Sequence, residues 1–353
     1  MQSKDIDDCI SFLLQKHQHG DFTNLLKEIR KKFTVANRLF TVTDNPFLLI
    51  QYLSIRSRAS IANIHIEKKL EFSEIPGIKL DNISHKETYR HKDAIIYWFS
   101  KINRCWFLEK IDFIRLNSIL RDTEVLDYSY RKKLIRENNT IVHTTPNDSE
   151  LDIVMRKFEK VLNSKSKDSH SIIYIGLLHY CFLFAHPFDD ANWRTSRCIL
   201  DLYLILNRSI QFPVLFSWGW IWKNKIIYYE HLKKLDHNLC DNIMGFTIWI
   251  LEKTISETKN LISRMEQILI LKNDYLSKYS KDDRFEWVDI WKMIIYLFSD
   301  SIYTVKDFSI ALNMADTECE KYLSYLVNEN NITYYSYKND IYFINNKLFE
   351  ILK

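Results

Sequence analysis

The sequence predicts a mainly α-helical protein, and three observations support that class. Only five Gly and five Pro occur in 353 residues, too few for a β-sandwich or for a glycine-dependent dinucleotide-binding sheet. Hydrophobic residues make up 46% of the chain, enough to build well-packed cores. Apolar side chains also recur at helical spacing along most of the sequence.

The first third of the chain predicts helices separated by short polar loops. Residues 46–66 carry apolar side chains at helical spacing, and "EIPGIKLDN" at 74–82 is a turn-rich break. Two amphipathic helices are predicted after it, over 85–102 and 109–121.

The character of the sequence changes in the segment 128–146. Apolar residues alternate on both sides of "ENN" there, which predicts a short β-hairpin closed by Pro146. Residues 149–164 are again helical in pattern, and the polar stretch 163–170 predicts a loop.

The remaining elements are helices followed by a small mixed region. Helices are predicted over 223–235 and onwards to about 280, where "SKYSKDDR" is typical of a linker. The last 65 or so residues predict three helices and then two β-rich runs around "KND", the pattern of a winged helix. The predicted elements of this region are helices 286–298, 304–312 and 316–328, with the hairpin in "ITYYSYKNDIYFIN".

Charge, cysteines and hydropathy limit the class of protein. The net charge of +4 is mild, and the six cysteines are scattered without the spacing of a metal site or a disulfide framework. The N-terminus carries early acidic residues and does not resemble a signal peptide, and no run reaches the roughly 18 apolar residues of a membrane span. These features predict a soluble, cytoplasmic protein that does not interact with a membrane.

The C-terminal region is acidic. From residue 285 onwards there are ten Asp and Glu residues against six Lys. The helix that would read DNA opens with "DTECEK", which places acids where phosphate contacts would be needed. We therefore expect this region to pack against a protein, with a second copy of the chain as one candidate, and not to bind DNA.

The densest chemistry lies in "HPFDDANWRTSR", residues 186–197, between two apolar helical runs. Pro187 is expected to hold His186 in extended geometry and so to end the upstream helix. Asp and Asn in "DDAN" favour a turn and the N-terminal cap of the next helix. The polar residues are therefore predicted to lie in a helix–loop–helix joint.

Such a joint suits a phosphate ligand. The N-terminus of a helix presents unpaired N–H groups and a partial positive charge. Arg194 and Arg197 are three residues apart and would add guanidinium groups on one helical face. An acid such as Asp190 beside the anion suggests a bridging Mg²⁺, and His186 can act as a base near neutral pH. The local chemistry is that of nucleotide-dependent transfer to a hydroxyl.

The residues of this stretch match the pattern His-x-Phe-x-[Asp/Glu]-x-Asn-x-Arg-x-x-Arg at all six positions. Chance would produce such a match on the order of 10⁻⁵ times per chain of this length. The string resembles the signature of the Fic family, His-Pro-Phe-x-[Asp/Glu]-Gly-Asn-Gly-Arg-x-x-Arg. That resemblance implies the Fido fold: a helical core with a short β-hairpin flap, here followed by the winged-helix domain.

Other segments resemble the family more loosely. "IVHTTP" resembles the flap hairpin that aligns a target's main chain, so Val142 and His143 would contact the target. "FSWGWIWKNKIIYYEHL" resembles the segment that follows the motif helix. The chain is accordingly divided into an N-terminal helical region at 1–105, a Fic core at 106–280 and a winged-helix domain at 285–353.

The resemblance also implies a role for each motif residue. His186 would deprotonate a Ser, Thr or Tyr hydroxyl of a target protein, and Phe188 would anchor the loop. Asp190 would hold Mg²⁺ on the phosphates of ATP. Asn192 would hold the α-phosphate, Arg194 the β-phosphate side, and Arg197 the terminal phosphate or an inhibitory glutamate. Tyr228 and Tyr229 would line the adenosine side, and Trp193 at the rim of the anion site completes the nucleotide-binding set. The implied reaction transfers AMP from ATP to the hydroxyl and releases pyrophosphate.

The sequence departs from the family signature at both glycines. Ala191 replaces the first, as in the Doc branch, whose member is a protein kinase. Trp193 replaces the second, where glycine would let the backbone approach phosphate. The indole packs outward over a neighbouring helix, stacks on a base or a target, or narrows the nucleotide site enough to change the nucleotide pose or abolish turnover. Two alternatives therefore stay open: a Doc-like kinase that uses the same site, and a Fic scaffold with weak catalysis.

The family's inhibitory helix, Ser/Thr-x-x-x-Glu-Gly/Asn, has no clear match. The best alignment starts at Ser60 and places Ile64 and His65 where Glu and its neighbour should stand. Glu67 lies about one turn further on and would need a shift of register. We therefore expect inhibition by this route to be absent or to come from another chain. Alternatively, the whole segment is a plain core helix, which the spacing of Ile61 and Ile64 allows.

Overall fold

The computed structural model describes most of the chain. The described residues are 3–16, 20–42, 83–123, 129–131, 136–137, 140–141, 146–164, 171–212, 221, 224–280, 287–298, 302–337 and 340–352. Within these ranges, no helix is both long and apolar enough to cross a membrane.

Helices form most of the described structure, which confirms the predicted class. Numbered over the described residues, the helices of the first part are α1 (Ser3–Lys16), α2 (Gly20–Val42), α3 (Ile83–Cys105), α4 (Lys110–Arg121), α5 (Asp148–Leu162), α6 (Ile175–Ala185), α7 (Asn192–Leu206) and α8 (Lys225–His237). A 3₁₀ turn, Ser171–Tyr174, leads into α6. The long α9 (Leu239–Tyr279) replaces the several helices expected up to residue 280.

The predicted β-hairpin is also present. Strands β1 (Arg136–Glu137) and β2 (Thr140–Ile141) pair antiparallel. They are shorter than the predicted segment 128–146, and the flap residues Val142 and His143 lie outside the described residues. The same holds for residues 46–66 and so for the segment compared with the inhibitory helix.

The chain divides into two compact units. The first comprises residues 1–38 and 89–259, and the second comprises 39–88 and 260–353. The second contains the C-terminal elements: α10 (Trp287–Leu297), β3 (Ile302–Tyr303), α11 (Val305–Leu312), α12 (Asp316–Asn328), β4 (Thr333–Tyr337), β5 (Asp340–Ile344) and α13 (Asn346–Leu352). The predicted three helices and hairpin are there, while β3 and α13 were not predicted. Strand β5 lies between β3 and β4 in an antiparallel sheet.

Helix α6 is the central element of the first unit. All eleven of its residues are buried, and it packs against both α5 and α7. Gly176 permits a close approach to α9, because a Cβ at that position would lie 2.6 Å from Oγ1 of Thr247. An uninterrupted apolar sequence thus becomes a rigid core helix that ends at the polar motif.

Candidate active site

Helix α6 ends where the motif begins, but not in the expected geometry. His186 is the C-cap residue with φ 45° and ψ 59°, in the left-handed region, and its N–H donates to the carbonyl of Phe182 at 3.0 Å. The prediction that Pro187 would hold His186 in extended geometry is therefore wrong. A left-handed cap closes the last turn of α6, and contacts from Arg131 hold this conformation.

Arg131 was not anticipated from the sequence, yet it is the main support of the motif turn. It is only 6% exposed. Its Nε donates to the carbonyl of His186 at 2.7 Å, and one terminal nitrogen donates to the carbonyls of Pro146 and Ala185 at 2.9 and 3.3 Å. Its backbone N–H donates to the carbonyl of Pro187 at 2.8 Å. One guanidinium thus ties the motif turn to the chain that follows the hairpin.

The interior of the loop is closed by Phe188 and Asn192. The ring of Phe188 is buried against Tyr130 and Phe182, with centroid distances of 5.8 and 6.3 Å. The Asn192 amide accepts from the N–H of Phe188 at 3.0 Å and donates to its carbonyl at 2.6 Å. Asn192 is 3% exposed, so its amide holds the loop shut in this structure.

The turn into α7 depends on a left-handed Ala191. This residue has φ 61° and ψ 16° and is the N-cap of α7, without a side-chain cap bond. The expected capping by Asp or Asn is therefore not found: the Asp190 carboxylate accepts from the N–H of Ala191 at 2.6 Å. The Asn117 side chain supports the turn by donating to the carbonyl of Asp190 at 2.8 Å.

Replacing glycine therefore has different physical consequences at positions 191 and 193. A non-glycine residue in the left-handed region is strained by about 1 kcal/mol. Trp193 lies within α7 and has no positive φ. The backbone freedom that glycine would supply is thus needed at position 191, while the change at position 193 acts through the size of the indole.

The N-terminus of α7 forms an accessible, polar end of the site. The Asp190 side chain is 67% exposed, and its second oxygen lies 3.4 Å from a terminal nitrogen of Arg194, whose side chain is 20% exposed. His186 is partly exposed on the same turn. Mg²⁺ is usually held by one or two carboxylates together with substrate phosphates and water, and Asp190 fits that mode. Among the described residues, no group of three or more His, Cys, Asp or Glu side chains would hold a metal by itself.

The indole of Trp193 lies in an aromatic cluster formed with α6 and α8. Its ring centroid is 4.8 Å from that of Tyr228, 6.1 Å from that of Tyr229 and 6.2 Å from that of His179. Tyr228 is fully buried, whereas Tyr229 is 49% exposed. Trp193 therefore packs over a neighbouring helix, beside the two tyrosines that the family resemblance would place at adenosine.

His179 lies at the centre of this cluster and was not singled out from the sequence. Its Nδ1 is 2.8 Å from the hydroxyl of Ser196, and its Nε2 is 2.9 Å from the hydroxyl of Tyr228. Burial, reinforced by the positive charge of Arg197, lowers the pKa of His179 from 6.5 to about 3. His179 is thus a neutral, doubly hydrogen-bonded core residue, and only its position in the apolar run of α6 could have signalled it.

Arg197 is buried beside the same cluster. Its side chain is inaccessible, and its Nε donates to the carbonyl of Trp193 at 3.3 Å. Burial lowers the pKa of the guanidinium well below its ordinary value of 12.5. The two motif arginines were expected to serve one anion together, but only Arg194 reaches solvent here.

Comparisons with known proteins agree with the motif and the fold. The Fic/DOC family model matches residues 107–204. A protein adenylyltransferase Fic of Nematostella vectensis is 27% identical over 187 residues, which are 51% of this chain and 41% of that protein. Its counterpart in Drosophila mojavensis is 40% identical over 73 residues, 20% of this chain and 14% of the relative. The chain thus spans less than half the length of these relatives.

Solved structures show the same fold. A Fic family protein from Desulfovibrio desulfuricans G20 aligns with a TM-score of 0.54 and 17% identity, covering 91% of this chain and 95% of that one. Fic-1 of C. elegans, residues 134–508, aligns with a TM-score of 0.50 and 14% identity over 69% of this chain and 73% of that one. These alignments support the Fido-type helical core and hairpin.

Proposed function

The chain is a member of the Fic/DOC family, and on that premise we propose that it is a protein adenylyltransferase. It would transfer AMP from ATP to a Ser, Thr or Tyr hydroxyl of a target protein. The observation that carries this proposal is the single turn that places a partly exposed His186 next to the N-terminus of α7, with an exposed Asp190 and a solvent-accessible Arg194.

In the proposed reaction, His186, Asp190 and Arg194 act from the positions described above. The imidazole of His186 takes the proton of the target hydroxyl. A bond then forms between the hydroxyl oxygen and the α-phosphorus of ATP, while the bond from that phosphorus to the bridging oxygen breaks and pyrophosphate leaves. The N–H groups at the start of α7 and the Arg194 guanidinium stabilise charge on the phosphates. Asp190 would hold Mg²⁺, which when bound neutralises charge on the phosphate oxygens.

The supports of the turn contribute by positioning. His186 must lie within hydrogen-bond reach of the hydroxyl it deprotonates, and Arg131 fixes the backbone at that residue through its carbonyl. The Asn192 amide is engaged with the backbone of Phe188. We therefore propose that the main role of Asn192 is to hold the motif loop in place, and that contact with the α-phosphate is secondary.

The aromatic cluster around Trp193 determines which side chains the nucleotide can contact. Tyr228 is buried and bonded to His179, so in this arrangement it supports Trp193 and does not contact adenosine. The indole of Trp193 would keep the base out of the space beside Tyr228, so the base would lie at the edge of the indole, next to the exposed ring of Tyr229. Arg197 can reach a terminal phosphate only if the packing around Trp193 and Tyr228 opens, which gives Trp193 control over nucleotide affinity.

The direct test uses the purified chain with ATP, Mg²⁺ and candidate target proteins, and the matched variant His186→Ala. A mass increase of about 329 Da on a target, absent with His186→Ala, is the expected result for AMP transfer. An increase of about 80 Da would instead support the Doc-like kinase, for which Ala191 is the relevant feature.

Labelling assays with the variant Trp193→Gly distinguish the catalytically weak scaffold from an active transferase. If the natural chain labels nothing and Trp193→Gly labels a target, the indole is the block and the transferase chemistry is retained. Labelling by neither form, with both folded as judged by circular dichroism, would contradict the proposed activity.

A further inference from the structure

Two cysteines that are far apart in sequence meet in the first unit. Cys9 lies in α1 and Cys240 is the second residue of α9, separated by 231 positions. Their sulfur atoms are 2.8 Å apart. A disulfide has an S–S bond of about 2.05 Å, so the sulfurs need to approach by less than about 1 Å to be joined.

The two thiols differ in access. Cys9 is fully buried, whereas Cys240 is partly exposed. Cys240 also lines a cavity of about 240 Å³, which is several times the roughly 30 Å³ that one water occupies in the liquid. A small oxidant can therefore reach Cys240 first, with Cys9 directly behind it.

The other cysteines of the helical core provide a contrast. Cys181 and Cys198 are buried, and burial raises the pKa of each thiol to about 12, which keeps them protonated and unreactive. Cys105 is exposed at the end of α3. Accessibility and an adjacent second thiol thus come together at Cys240.

We propose that Cys9 and Cys240 are a peroxide-sensitive thiol pair, in which Cys240 is oxidised first and Cys9 closes the disulfide. A peroxide oxidises the Cys240 thiolate to a sulfenic acid and is reduced to water or an alcohol. The Cys9 sulfur then attacks the Cys240 sulfur, an S–S bond forms, and the hydroxyl leaves with a proton as water. The bond would tie α1 to the start of α9 and would be reversed by a thiol reductant.

Neither cysteine belongs to the motif turn, so the pair can be tested without the transfer reaction. The full chain carrying Cys105→Ser is reduced, freed of reductant, treated with hydrogen peroxide and quenched with a maleimide. A tryptic digest analysed without reduction then reports the linkage. The expected product joins residues 5–16 to residues 235–253, and it disappears after treatment with dithiothreitol.

The order of oxidation is tested with single-cysteine forms and a sulfenic-acid trap such as dimedone. In Cys9→Ser, or in Cys9→Ala if the serine form does not fold, the trap should label Cys240 at least tenfold more than in the parent. Cys240→Ser should leave Cys9 unlabelled because that thiol is buried. Maleimide on both cysteines after peroxide, a linkage to any other cysteine, or faster labelling of Cys9 than of Cys240 would overturn the proposal.

Discussion

The two faces of the motif helix α7 have opposite environments. In the motif turn and the first turn of α7, His186, Asp190 and Arg194 reach solvent and form an open, polar face. Towards α6 and α8, Arg197 is fully buried near the rings that pack with Trp193, a sealed face. The proposed base, the proposed Mg²⁺ carboxylate and Arg194 are therefore accessible, while Arg197 is enclosed and aromatic side chains pack around Trp193.

The largest effect should come from the open face. His186→Ala removes the proposed base, and general-base catalysis typically contributes about 10²–10⁴-fold. We expect AMP transfer to fall by that factor while ATP binding is retained. The initial rate of target labelling measures this, with the exposed His237→Ala as the control. Equal labelling rates for His186→Ala and the parent would show that His186 does not act as the base.

The sealed face should dominate the acid sensitivity of the fold. His179 has its pKa lowered to about 3 in the folded chain, against 6.5 when unfolded. The unfolded state therefore binds more protons between these values, and stability falls as the pH drops below about 6.5. From pH 7 to pH 4, the free energy of unfolding should decrease by about 3 kcal/mol less in His179→Gln than in the parent.

Urea unfolding at the two pH values measures this difference. His231→Gln is the matched control, since His231 is partly exposed and burial lowers its pKa less. An identical pH dependence in His179→Gln and the parent would mean that the cluster admits water and that the face is not sealed.

Arg131 links the motif turn to the segment after the hairpin, and its loss should damage positioning. Arg131→Ala leaves the carbonyls of Pro146, Ala185 and His186 without this donor. Because a misplacement of about 1 Å can cost about 10²-fold in rate, we expect kcat to fall by about 10- to 100-fold with little change in KM for ATP. Arg131→Lys should restore little, since it lacks the planar fork.

Steady-state kinetics separate this role from general destabilisation. The exposed Arg156→Ala should leave both kcat and stability nearly unchanged. A rise in KM for ATP with unchanged kcat in Arg131→Ala would contradict a positioning role.

The smallest effect is expected for the stability of the turn that leads into α7. Ala191 is left-handed, so Ala191→Gly should stabilise the chain by about 1 kcal/mol by relieving backbone strain. The urea midpoint measures it. Ala185→Gly, in helical backbone at the end of α6, should have the opposite sign. Destabilisation by Ala191→Gly would show that the turn is not strained.

Much of the fold could be predicted from periodicity. Helices such as Lys110–Arg121 and Asp316–Asn328 follow the apolar spacing closely, because each buries one face. The short strand Ile302–Tyr303 could not be predicted from the sequence, because only its pairing with residues 343 and 344 makes it a strand.

The candidate site was predictable in its residue types but not in its supports. The motif specified His186, Asp190 and Arg194, since those are the side chains that we propose for the transfer chemistry. It did not specify Arg131, whose bonds are to backbone carbonyls and so leave no pattern in the sequence. Local rules also failed at His186, because a C-cap with its own hydrogen bonds outweighed the preference imposed by Pro187.

We propose that Trp193 fills the space that the family resemblance assigns to adenosine and thereby limits nucleotide binding. Isothermal titration of a non-hydrolysable ATP analogue with Mg²⁺ tests it on three forms: the natural chain, Trp193→Phe and Trp193→Gly. We expect the affinity for the analogue to rise when the ring becomes smaller in Trp193→Phe and to rise further, by about tenfold, when it is removed in Trp193→Gly. A tenfold change is equivalent to about 1.4 kcal/mol. Equal affinity for all three forms, or weaker binding by Trp193→Gly, would contradict it.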